Sequence, residues 1–111
     1  MNSATAESIY RRDKLICQYC HLDGSGSFAA WRSLSLDHLL PKGHPQRHDP
    51  EFIVVACLHC NILLAQQFKS PRLQGETFDR PNANHLIRAR RDLLSPRLEE
   101  LRTYWQEITS K

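Results

Sequence analysis

The sequence has no long hydrophobic run: its longest, Phe52 to Leu58, is about a third of what a membrane-spanning helix needs. The opening MNSATAESIYRRDK offers no apolar core for a secretory signal, so the expectation is a soluble, cytoplasmic protein with no membrane partner. No charge of one sign dominates either. Fifteen Lys and Arg face twelve Asp and Glu, a net +3 that permits a polyanionic partner without demanding one. With 111 residues there is room for one core, which excludes a multidomain enzyme and predicts a single domain over 1–111. A chain of this size hides only about 60–70% of its unfolded surface, so 41% apolar residues leave room for an added staple. Low-complexity tracts are missing, and the only internal repeat is a duplicated cysteine pair.

Glycine is scarce, and two of the four lie in HLDGSGSFAA, His21 to Ala30, which reads as a surface loop. Upstream, SATAESIYRRDK has a candidate cap in Ser3 and good helix formers, predicting a short helix over Ser3 to Lys14. From Ser33, SLSLDHLL alternates at period two and predicts a half-buried strand ending near Asp37 and His38, stopped by Pro41 and Gly43. An irregular excursion follows to Phe52, and then the β-branched run Phe52 to Ala56 reads as a buried strand. Residues from Asn61 to Phe68 are unbranched-rich and predict a helix starting at or just before Asn61. Pro71, Gly75 and Pro81 mark 69–84 as an extended linker. Beyond it Ile87, Leu94, Leu98, Leu101, Trp105 and Ile108 form one helical stripe over 85–109, which Ser95-Pro96 should kink or split.

Only four cysteines are present, and in a reducing compartment they are poor disulfide candidates. They fall as two identical pairs, Cys17-Gln-Tyr-Cys20 and Cys57-Leu-His-Cys60, which suits one tetrahedral Zn2+ held by two tight turns. Such an ion contributes folding free energy of order 10 kcal/mol, the staple a small core lacks. A redox pair or inert buried thiols are the competing readings, and His21 or His59 could replace a thiolate.

A second set comprises Asp37-His38 at the strand end and Asn61 just after Cys60. With Cys-Gln-Tyr-Cys, Leu-Asp-His-Leu-Leu-Pro-Lys-Gly and Val-Ala-Cys-Leu-His-Cys-Asn in that order, the stretch from Leu15 to Phe68 resembles the zinc-containing branch of the HNH endonucleases. The resemblance implies an α+β fold with a ββα-metal core over about 15–68. A structural zinc on Cys17, Cys20, Cys57 and Cys60 would staple this core, with a short N-terminal helix before it and a long C-terminal helix after it. It also implies a metal-dependent endonuclease acting on DNA, with His38 as general base and a catalytic Mg2+ or Mn2+ held by Asp37 and Asn61. Asn61 has a plainer reading as the cap of its helix.

Three positions depart from the family pattern. Phe52 stands where an Asn is usual, Leu64 where a Lys is usual, and His44-Pro45 where the loop usually has Gly-Gly. Asp49 or Glu51 is expected to take over the contact of the missing Asn. Lys42, His44, His48, Arg88, Arg90 and Arg91 are candidate nucleic-acid contacts, against the plainer reading of solvated surface charge. The departures motivate an alternative function, a non-catalytic zinc module of the same fold that binds DNA or a protein, and the C-terminal stripe suggests a possible homodimer.

Overall fold

The computed structural model describes residues 2–67 and 78–110, without the side chains of 66 and 67. Phe68 and the linker over 69–77 lie outside the described residues. Helix α1 runs Ser3–Arg12, and its cap is Asn2, whose side chain accepts from the Thr5 N–H at 2.8 Å, one residue earlier than expected. It buries Ile9 against Leu34, Ile53 and Val55. Its end is tied to the next strand partner: Arg12 donates to the carbonyls of Pro50 at 2.8 Å and Ile53 at 2.6 Å, and Asp13 accepts from the Val55 N–H at 2.8 Å.

The glycine-bearing loop ends sooner than expected. Ser27 accepts from the Ala30 N–H at 3.0 Å and starts a short helix α2, Phe28–Arg32, whose Phe28 and Trp31 rings stack on the surface. Gly24 is required where it stands, because a Cβ there would collide with Leu34 and come within 2.9 Å of the Leu15 carbonyl oxygen.

Strands β1 (Leu34–His38) and β2 (Ile53–Cys57) pair antiparallel, Leu36 opposite Val55 and His38 opposite Ile53. Side chains alternate across the two faces. Leu34, Leu36, Ile53 and Val55 join Ile9 of α1 on one face, while Val54 and Ala56 join the main cluster on the other. Between the strands, turns lead to a single 3-10 turn at Pro50–Phe52. Phe52, Leu63, Leu64, Leu86 and Leu94 fill that main cluster beside the cysteines, so the two departures at Phe52 and Leu64 are positions given over to packing.

Helix α3 spans Leu58–Gln67, starting three residues before Asn61, so Asn61 lies inside its first turns and is not its cap. Helix α4 runs Ala83–Thr109 from an Asn82 cap as one helix through Pro96, so the alternative of two consecutive helices does not hold. Pro96 is exposed, and water can serve the carbonyl its ring leaves unpaired. Leu86, Arg90 and Leu94 are buried, Ile87, Leu98 and Leu101 pack at the margin, and Trp105 and Ile108 are exposed, so the stripe faces the core only as far as Leu101. The architecture is α+β: a two-stranded antiparallel sheet, flanking helices, a four-cysteine cluster and a long C-terminal helix. No helix among the described residues is long and apolar enough to cross a membrane.

Candidate functional site

The first cysteine pair sits at the tip of a small hairpin closed by the Ile16–Asp23 bridge, with Cys17 N–H bonded to the Leu22 carbonyl at 2.9 Å. His21 ends this turn in the left-handed region at φ 67. Gln18 docks the hairpin on the sheet, its N–H meeting the Val55 carbonyl at 2.9 Å. Cys57 closes β2 and Cys60 lies in the first turn of α3. In each pair the N–H of the second cysteine points at the sulfur of the first, at 3.5 Å for Cys20 and 3.3 Å for Cys60.

All four Sγ atoms lie within 4.8 Å of one another, and Cys20 and Cys57 are 3.7 Å apart. A tetrahedral ion with bonds of ~2.3 Å spaces its sulfurs about 3.8 Å apart, so the donor set fits zinc. The thiol chemistry agrees. Hydrogen bonds from Cys20, then Cys57 and Cys60, pull the Cys17 thiol far below its ordinary range, while Cys57 and Cys60 are pushed up, chiefly by their bonds with Cys17. Cys20 is also lowered, to about 7, so two thiolates form readily and four do not, unless a cation neutralises them. His21 and His59 are exposed and take no part in the cluster.

A second constellation lies at the end of β1. Asp37 is largely buried, and the phenol of Tyr19, inside the first cysteine pair, donates to its Oδ2 at 2.5 Å. Burial raises the Asp37 pKa; the Tyr19 bond and the nearby Arg90 charge oppose this without overcoming it. Asn61 donates from Nδ2 to Ser35 Oγ at 2.5 Å, and Ser35 in turn donates to the Ala56 carbonyl at 2.9 Å. Ser35 and Asp37 share one face of β1, so the amide and the carboxylate stand on the same side. Both strand-end positions are in regular register, Asp37 opposite Val54 and His38 opposite Ile53. Alternation therefore sends His38 to the other face. Its half-buried ring meets the edge of His48 at 5.4 Å and 89°. Burial first, then the charges of Arg47 and His48, lowers its pKa, so the imidazole is neutral at pH 7.

The expected nucleic-acid contacts divide sharply. Arg90 is buried at 6% exposure and donates to the carbonyls of Leu39 at 2.7 Å and Leu86 at 3.2 Å, which corrects its assignment to a phosphate. Arg91 is corrected likewise, since it grips the Gln18 carbonyl with two donors at 3.1 and 2.7 Å and so clamps α4 to the first cysteine turn. His44 is also engaged internally, with Nε2 at 2.7 Å from the Phe78 carbonyl and Nδ1 accepting from the Gln46 N–H. Lys42, His48 and Arg88 remain exposed. Tyr19, Ser35 and Arg47 were not anticipated. Tyr19 lies within the first cysteine pair and Ser35 within β1, but no motif marks either or Arg47 for the strand end.

Against protein-family models, residues 17–65 match the HNH endonuclease family. This stretch is an HNH domain. It opens at the first metal-binding cysteine and closes within α3, taking in both cysteine pairs, β1, the excursion and β2, with α1 and α4 outside. Comparison with curated proteins and with solved structures gives no match. An HNH domain implies nuclease or other nucleic-acid-related work in general, and the four cysteines are arranged to hold a metal, consistent with the zinc type.

Proposed function

We propose that the HNH domain is a metal-dependent endonuclease hydrolysing DNA phosphodiester bonds, with His38 as the general base and Asp37 and Asn61 as ligands of a catalytic divalent cation. The observation that supports this reading is that, within the stretch matching the HNH family, Asp37 and the α3 residue Asn61 stand on one side of the end of β1, with a neutral, half-exposed imidazole on the next residue, His38. The donor set suits Mg2+ or Mn2+. Asn61 spends its Nδ2 on Ser35, which leaves Oδ1 as an acceptor, and Tyr19 engages only one of the two Asp37 oxygens. A cation there supplies Lewis-acid polarisation of the scissile phosphate and charge neutralisation at the leaving oxygen. His38 accepts the proton of the attacking water.

The test is nicking of supercoiled plasmid in magnesium or manganese. His38→Ala should cut more slowly by about 10²–10⁴-fold with an unchanged circular dichroism spectrum. Equal cutting by the variant overturns the assignment of the base. The burial of Phe52 and Leu64 and the engagement of Asp37 by Tyr19 favour a second reading, a zinc module that binds DNA or protein without cutting. Titrating magnesium into the zinc-loaded protein separates the two. A second, weaker site that Asp37→Ala removes belongs to the nuclease, and its absence belongs to the binder.

A further inference from the structure

The excursion between β1 and β2 delivers one cation to the strand end that no motif announces. Arg47 lies in the turn its N–H closes on the His44 carbonyl at 3.1 Å, and the next residue, His48, sets its ring against His38. The Arg47 Nε is buried and has no hydrogen-bond partner, the sole such side-chain atom among the described residues. Its charge is nonetheless felt at both Asp37 and His38. Asp37 does not take it up as a partner, since no ion pair joins the two and Tyr19 holds Asp37 Oδ2. A guanidinium donor withdrawn from water and left unpaired is costly, and natural structures seldom keep one without a ligand to meet it. The planar fork of an arginine matches the oxygens of a phosphate. Asp37 and His38 are the titratable groups its charge reaches, with His48 next to it in the chain and set against His38.

We propose that Arg47 is the phosphate-binding residue of the strand-end site, its guanidinium taking the phosphodiester that lies across the end of β1. The inference rests on the nuclease reading for the polymer that carries the phosphate, and on the orphaned Nε for the anion itself. Arg47 is then a substrate-binding group, distinct from Arg90 and Arg91, whose donors are spent on backbone carbonyls.

Two measurements test it. The first follows the melting temperature of zinc-loaded protein against inorganic phosphate, with sodium chloride at matched ionic strength as control. Phosphate should raise the melting temperature of the wild type and leave Arg47→Met unmoved, while Arg47→Met without phosphate melts no lower than wild type, because an unpaired buried N–H has been replaced by an apolar group in a side chain of similar length. The second measures duplex binding by His38→Ala protein across a range of salt. Adding Arg47→Met should weaken binding roughly tenfold and reduce the slope of log K against log salt by about 0.9, the loss of one phosphate contact, and Arg47→Lys should recover part of it. A variant that melts lower yet binds duplex as well as its parent makes Arg47 a structural residue and overturns the proposal. So does an equal phosphate response in both proteins. Arg47-dependent stabilisation by phosphate with no change in duplex affinity overturns the polymer as ligand and leaves a site for free phosphate. If the wild type cuts no DNA while phosphate still acts through Arg47, the anion site stands and the nuclease reading falls.

Discussion

The sulfur cluster and the strand end are neighbours joined by Tyr19, yet they are built on opposite plans. Around the sulfurs every group is engaged: two N–H donors point at sulfur, Gln18 bridges to β2, and Arg91 clamps the first turn from α4. At the strand end capacity is left over, in the free oxygen of Asn61, the unpaired Nε of Arg47 and the half-exposed ring of His38. A closed site of this kind holds structure, and an open one is where a ligand can still gain something by arriving.

The sharpest way to break this contrast is to empty the sulfur cluster. Chelation, or Cys60→Ser, should remove folding free energy of order 10 kcal/mol and collapse the circular dichroism signal, because a zinc held by the four sulfurs would join the two cysteine turns of the core. Retention of the wild-type melting temperature without zinc would make the closed site ornamental. A smaller effect is expected at the link between the two regions. Tyr19→Phe strips a donor from a buried carboxylate, which should cost about 1–3 kcal/mol in a urea titration. An unchanged midpoint means that water reaches Asp37 and that the strand end is more open than its burial indicates. The smallest effect is in pH. Since the His38 pKa lies below the ordinary 6.5, cleavage should hold its rate as pH falls to that value and decline only beneath it. The sign for stability is the same. The unfolded chain binds the proton more readily, so this contribution is present above pH 6.5 and is lost as pH falls below it. An acid limb centred above 6.5 would show that the ring is not held neutral.

The parts of the molecule legible in the sequence are those written in spacing. The cysteine pairs, the alternation through Leu34 and Leu36 and the stripe from Ile87 to Leu101 each repeat at an interval that one geometry explains. Helix α2 was hidden because five residues are too few to show a period, and only the Ser27 cap marks it. The start of α3 was hidden because Cys57-Leu-His-Cys60 reads as a turn while its last three residues are already helical. Arginine is the clearest failure of sequence reading. Arg88, Arg90 and Arg91 look alike in a charged run, and a rotation of about 100° per residue on a helix puts one in water, one in the core and one on a carbonyl. Arg47 was passed over for the converse reason, since it sits in a loop with no pattern to interrupt.

One detail of the sheet reaches further than its size. A ribbon of two strands has margins able to recruit a strand from another molecule, which is how crowded proteins seed fibrils. The outer margin of β2 is shut: Val55 gives its N–H to Asp13 and its carbonyl to Gln18, and Ile53 gives its carbonyl to Arg12. Crowded copies of this chain can therefore lie side by side without β2 stitching them into an aggregate.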